Sequence, residues 1–195
     1  MAICLFQGTF NPIHKVHLDV ANFAKEHYGF EKIVFIPAFI PPHKTVDNSL
    51  AEHRFNMVKI AIEKYPYFSI SDIEFKSNEC SYTYNTIIKL REMWNIDYKI
   101  DFIIGTDAFE KIETWYKTDE LKKLVHFIVF PRTNSFCESK FDYLREIGYD
   151  FEFAPLEFND VSSTQVRDYV KQGETIVNIE IPEVMEYIKE NELYI

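Results

Sequence analysis

Glycine is scarce in this chain, with 5 in 195 residues. Few turns can rely on it, so a glycine directly after an apolar run stands out. Cysteine is scarcer. Cys4, Cys80 and Cys137 are odd in number, far apart and form no CxxC pair. That excludes a disulfide framework and a cysteine-based zinc site, and it fits a reducing cytoplasm. Positive charge is in deficit: 21 Lys and Arg against 31 Asp and Glu leave a formal net charge of −10. A generic nucleic-acid binder needs a basic surface to release counterions, so that class is excluded, whereas a local cluster of cations can still hold a small anion. No apolar run approaches membrane-spanning length, and no basic stretch precedes the strand-like start Ala2–Phe6. Neither a membrane segment nor a secretory signal is expected.

What remains is the profile of a soluble globular protein, 47% hydrophobic and 27% charged. The length suits a single domain spanning residues 1–195. With 18 Phe and 12 Tyr, many rings must fill core volume, so a lone aromatic carries little functional information.

Short apolar runs alternate with longer amphipathic ones. Ile3–Phe6, Lys32–Ile36, Phe68–Ile73, Asp101–Ile104, Phe127–Phe130 and Phe151–Phe153 read as strands. Several are almost continuously apolar, as expected when helices cover both faces of a sheet. Helices are predicted after His17, on the spacing Leu18, Ala21, Ala24, Tyr28, and from Ser49, where Ser-Leu-Ala-Glu forms a capping box ahead of Ala51, Phe55, Val58 and Ile62. Others follow Tyr82, run over Ser163–Val170 with Gly173 past the end, and start at Pro182. This alternation predicts an α/β fold: a Rossmann-like open parallel sheet with helices on both faces and a small helical part at the C-terminal end. Such sheets bind ligands beyond the carboxyl ends of their strands, which is where the polar motifs fall.

Gly8 follows the first strand, Pro12 fixes the turn, and His14 and His17 stand three apart at a helix start, so both imidazoles can face one side. Unpaired N–H groups at that helix end add partial positive charge, and the set suits nucleotide phosphates. A turn glycine beside two solvated histidines is the plainer reading. A zinc site lacks a third ligand and an HExxH pattern, so no protein-held metal is expected. Pro41-Pro42-His43-Lys44 is a stiff turn that presents a mobile cation. Late in the chain, Ser162 or Ser163 can cap a helix, with Thr164 beside them and Arg167 one turn on, a second phosphate-binding arrangement. Trp115 can stack on a planar heteroaromatic ring, and Asp107 can accept from ribose hydroxyls. Core packing and helix capping are the ordinary alternatives for those two.

The segment Gly8-Thr9-Phe10-Asn11-Pro12-Ile13-His14-x-x-His17 resembles the signature of the HxGH nucleotidyltransferases. Pro41–Lys44, Ser81-Tyr82-Thr83, Ile103-Ile104-Gly105-x-Asp107, Trp115-Tyr116 and Val161–Arg167 extend the likeness to bacterial nicotinate mononucleotide adenylyltransferases, over essentially the whole chain. Gln7 and Val16 stand where that family has glycine, and Pro131-Arg132-Thr133 matches its Arg-Pro-Gly only in charge. The resemblance implies adenylyl transfer from ATP to nicotinate mononucleotide in NAD biosynthesis, with Mg2+ accompanying ATP. It implies catalytic roles for His14, His17, Lys44 and Arg167. ATP would be bound by Gly8, Thr9, Phe10, His14, His17, Gly105, Asp107, Arg132, Ser162, Ser163, Thr164 and Arg167. The mononucleotide would be held by Lys44, Tyr82, Thr83, Trp115 and Tyr116, with the Trp stacked on the pyridine and backbone N–H groups on its carboxylate. Nicotinamide mononucleotide and phosphopantetheine are the alternative acceptors, and a non-catalytic nucleotide sensor is the alternative of another class. Neither a nucleic acid nor a membrane is an expected partner, and self-association into a homo-oligomer is compatible with the reading.

Overall fold

The computed structural model describes residues 2–42, 47–76, 79–131, 136–156, 162–174 and 179–195. Among them, strands and helices run in the order β1 (Ile3–Gly8), α1 (Lys15–Tyr28), β2 (Lys32–Pro37), α2 (Ala51–Ile62), β3 (Phe68–Ile70), α3 (Thr83–Trp94), β4 (Ile100–Gly105), α4 (Thr106–Phe109), α5 (Thr118–Leu121), β5 (Val125–Phe130), α6 (Asp142–Glu146), β6 (Phe151–Phe153), α7 (Ser163–Gln172) and α8 (Pro182–Glu190). All strand pairs are parallel, in the order β3-β2-β1-β4-β5-β6. This is the doubly wound arrangement, with its switch point between β1 and β4. The six predicted strands are all present.

Two corrections concern element ends. The third strand stops at Ile70, because Ile73–Phe75 turns into a short 3-10 helix. The capping box expected at Ser49 does not form. Asp47 caps a 3-10 turn over Asn48–Leu50 by accepting from the Ser49 N–H at 2.9 Å, and α2 continues from that turn. A carboxylate two residues upstream displaces the serine as the capping acceptor.

Period-two alternation divides the core into two layers. Cys4 and Phe6 of β1 join Ile33 and Phe35 on one face, under Leu18 and Ala21 of α1, Met57 and Val58 of α2, and Val184 and Ile188 of α8. Leu5 joins Val34, Phe102, Ile104 and Phe127 on the other, under Ile87 and Leu90 of α3, Leu121 of α5 and Leu144 of α6. Among the described residues no helix is long and apolar enough to cross a membrane.

At the opposite end of the sheet from Gly8 and Gly105, His126 of β5 lies directly across from Asp101 of β4, with Nδ1 2.8 Å from Oδ1. The Asp101 carboxylate raises the His126 pKa, with Asp150 and Glu152 adding to the effect and burial opposing it. The folded state therefore holds the proton more tightly than the unfolded chain. The stabilisation is complete below the unfolded value of about 6.5 and is lost as pH rises through the folded value. His126→Gln should lower Tm more at about pH 6 than at about pH 8; an equal drop at both would remove this pair from the pH dependence.

Candidate active site

The first loop is built by its own aromatics. A Cβ on Gly8 would lie 3.0 Å from the Phe10 ring, so glycine is needed here for close packing. It is Phe10 that carries the left-handed backbone, with φ 47°. Its buried ring meets Phe6 edge-on at 5.3 Å and His17 at 5.1 Å. His14 is buried at the N-cap of α1, and its imidazole lies 3.8 Å from that of His17, centre to centre. The two rings do share one side. The His14 backbone N–H donates to His17 Nδ1 at 3.2 Å. An accepting nitrogen has no hydrogen, so neutral His17 carries its proton on Nε2 and remains a donor there.

Residues far along the chain hold this loop. Arg54 of α2 has no exposed surface. One guanidinium nitrogen donates to the carbonyl oxygens of Thr9 at 2.9 Å and Ala38 at 2.5 Å, the other to that of Phe39 at 3.0 Å. The loop after β1 and the loop after β2 are thereby pinned to one planar fork. Burial lowers the Arg54 pKa, countered by Tyr194 and Glu74. From the C-terminal side, Ser163 Oγ donates to the Pro12 carbonyl at 2.9 Å and Arg167 to the Asn11 carbonyl at 2.7 Å. Ser162 is the α7 cap: its Oγ accepts from the Gln165 N–H, while Gln165 Oε1 accepts from the Ser162 N–H. Arg167 also donates to Thr164 Oγ1 at 3.2 Å.

On the other side of the crevice a buried carboxylate plays the matching part. Glu74 accepts from the Gln7 amide and from Thr86 Oγ1 at 2.7 Å. Burial raises its pKa, while bonds from Ser81, Thr86, Phe39 and Gln7 lower it. Ser81 Oγ in turn accepts the N–H groups of Phe39 at 2.9 Å and Ile40 at 3.1 Å. Gln7, which stands where the resembled family has glycine, is thus tied to α3 and to the Ser-Tyr-Thr segment. Thr83 is buried at the start of α3, where helix N–H groups have no partner within the helix. Tyr82 packs on Tyr116 at 4.6 Å, and Trp115 is half-buried.

These parts meet in a cavity of about 1020 Å³ at the carboxyl ends of β1 and β4. Gly8, Thr9, Phe10, His14 and His17 line it together with Ser162, Ser163, Thr164 and Arg167. So do Gly105 and Asp107, and on the acceptor side Tyr82, Thr83, Trp115 and Tyr116. Val16 lines it too and packs against the core. Lys44 and Arg132 lie outside the described residues. Sequence reasoning missed Arg54, Glu74 and the pocket-lining cations Lys111 and Lys171. The available signal for Arg54 was its place within the apolar stripe of α2.

Residues 5–169 match the cytidylyltransferase-like family model. The "Probable nicotinate-nucleotide adenylyltransferase" of Caldicellulosiruptor bescii is 36% identical over 197 residues, covering 100% of this chain and 99% of that one. The chain belongs to the nicotinate-nucleotide adenylyltransferase family. A Clostridium botulinum relative with the same name is 36% identical over 193 residues, covering 96% of each chain. Among solved structures, the Plasmodium falciparum nicotinic acid mononucleotide adenylyltransferase complexed with NaAD superposes with a TM-score of 0.80 at 20% identity, over 98% of this chain and 96% of that one. The fold of this family member is thus shared well beyond its sequence likeness.

Removing the Arg54 fork leaves three carbonyl oxygens with lost donors. Arg54→Met should cost about 2–4 kcal/mol in urea unfolding. Arg54→Lys, a point donor without the planar fork, should recover only part of it. A loss below about 0.5 kcal/mol for Arg54→Met would mean that the clamp does not hold the loops.

Proposed function

We propose that the chain transfers AMP from ATP to nicotinate mononucleotide, releasing pyrophosphate and forming nicotinate adenine dinucleotide for NAD biosynthesis. One observation carries this reading. A member of the nicotinate-nucleotide adenylyltransferase family presents both motif sets, phosphate-binding and pyridine-binding, to one cavity at the switch point of its sheet.

The chemistry follows from that arrangement. A phosphate oxygen of the mononucleotide attacks the α-phosphorus of ATP as the bond to the β-phosphate breaks. The nucleophile is already ionised, so no protein base is needed, and catalysis reduces to positioning and stabilising charge. His17 donates from Nε2 to the α-phosphate region, with His14 beside it. The backbone of Gly8, Thr9 and Phe10 borders the phosphates. Ser162, Ser163, Thr164 and Arg167 at the start of α7 receive the departing pyrophosphate. Lys44 and Arg132, which follow β2 and β5 in the sequence, add charge for the phosphates. Gly105 and Asp107 line the groove for the nucleoside. Trp115 stacks on the pyridine, Tyr82 flanks it, and the N–H groups of Thr83 and Tyr116 hold its carboxylate. Among the described residues the donors lining the phosphate side are nitrogens and hydroxyls with no carboxylate cluster, which fits Mg2+ entering with the ATP substrate. The chain acts as a single nucleotidyltransferase domain in the cytoplasm.

A pyrophosphate-release assay tests the acceptor. We expect kcat/KM for nicotinate mononucleotide to exceed that for nicotinamide mononucleotide by about tenfold or more, because the amide leaves the carboxylate-binding N–H groups poorly matched. Equal values, or a preference for the amide, would overturn the acceptor assignment. His17→Ala should lower kcat by about a hundredfold or more while mononucleotide affinity changes little. An unchanged kcat would take His17 out of the mechanism.

A further inference from the structure

Lys111 is a cavity residue to which the mechanism above gives no task. It stands four positions after Asp107 and four before Trp115, and all three line the cavity. The backbone between them is close to helical. α4 covers Thr106–Phe109, the Glu110 N–H donates to the Thr106 carbonyl at 2.9 Å, and a 3-10 turn follows over Ile112–Thr114. Residues four apart on such a path share a side. The opposite side is anchored in the core. Phe109 and Ile112 are buried, and the Phe109 ring lies 5.5 Å from Phe127, 5.7 Å from Phe141 and 4.9 Å from Phe151. The core thereby fixes which side of the segment faces the crevice.

The next lysines along the chain are engaged elsewhere. Lys117 Nζ lies 4.8 Å from the centre of the Tyr84 ring and 5.5 Å from that of Tyr116, and Lys122 pairs with Asp119 at 2.8 Å. The Lys111 carbonyl accepts from the N–H and the hydroxyl of Thr114, but among the described residues its ammonium has no ion-pair partner. In a chain of net charge −10, a free ammonium on a cavity wall is available to an anion. Its place on the wall indicates which one. With the pyridine on Trp115 and its carboxylate at Thr83 and Tyr116, the ribose phosphate of the mononucleotide extends from Trp115 towards the Asp107 groove, and Lys111 stands between the two. The donors at the start of α7 serve the departing pyrophosphate instead. We propose that Lys111 Nζ pairs with the phosphate of the pyridine mononucleotide, an assignment that rests on the adenylyl-transfer reading. By this contact the acceptor side distinguishes a mononucleotide from its phosphate-free riboside. A flexible ammonium can hold one terminal oxygen while another attacks the α-phosphorus. The contact exists both before and during transfer, so it contributes to acceptor binding more than to turnover.

The full-length chain tests this by calorimetric titration and by pyrophosphate release. Lys111→Met keeps the length of the side chain and removes the charge. It should weaken nicotinate mononucleotide binding about tenfold, in Kd and in KM, while kcat and the KM for ATP stay within about threefold. The Kd of nicotinate riboside, which lacks the phosphate, should change by less than about twofold, because the lost partner is absent from it. Lys111→Arg keeps the charge and should stay within about threefold of the unsubstituted chain. Tm should be the same for both variants, since the ammonium has no partner within the described protein. Raising KCl from about 0.05 M to about 0.5 M should weaken mononucleotide binding more in the unsubstituted chain than in Lys111→Met. An unchanged mononucleotide Kd in Lys111→Met, an equal loss for the riboside, or a loss confined to ATP would overturn the assignment. Failure of the unsubstituted chain to transfer AMP, with mononucleotide binding intact, would instead overturn the functional reading, and the Kd series would still decide the part played by Lys111.

Discussion

A buried guanidinium is the constraint on which the site depends. Taking Arg54 out of water costs several kcal/mol, which the bonds from its two terminal nitrogens to carbonyl oxygens offset. Those oxygens belong to Thr9, Ala38 and Phe39, on two loops that leave adjacent strands in parallel. Parallel strands deliver their loops to the same edge without fixing the distance between them. The planar fork fixes it. Glu74 does the same on the far side of Phe39, joining Gln7, Thr86 and the Ser81 segment. A buried guanidinium and a buried carboxyl group thus set the spacing of three loops, and the cavity is the space between them.

The protein as a whole is acidic, yet its substrates are anions. The field that matters is local. His14, His17, Lys111, Arg167 and Lys171 border the cavity, and residues at the starts of α1 and α7 line it, where the helix dipoles are positive. Several of these donors serve the protein first: Arg167 and Ser163 hold carbonyls of the first loop. On the proposed reading, a phosphate arriving here would join an existing network without ordering loose side chains, which lowers the entropic cost of binding.

Much of the fold was legible in the sequence. The strands declare themselves as apolar runs because helices cover both faces of the sheet, and Gly173 and Pro182 mark helix ends for steric reasons. The loops that line the cavity were legible because polar residues follow those runs directly. What stayed hidden depends on distance in space. Arg54 stands at the spacing of the apolar stripe of α2, but nothing near it in the sequence names the loop carbonyls that it meets. Glu74 sits between two apolar residues and gives no sign of its partners. Ser49 looked like a helix cap, but local geometry let Asp47 take that place. Asn11 was in plain view within the motif, yet its hydrogen bond from Tyr194, 183 positions later, is one that no local pattern could reveal.

That long connection also bears on how the protein comes into being. All six strands of the sheet lie before residue 154. A nascent chain of that length already holds every strand and most of both core layers. It still lacks Ser163, Arg167 and Tyr194, which fasten Asn11 and Pro12. During synthesis the first loop is made early and finished late, so the emerging polypeptide can acquire its architecture well before it becomes competent for catalysis.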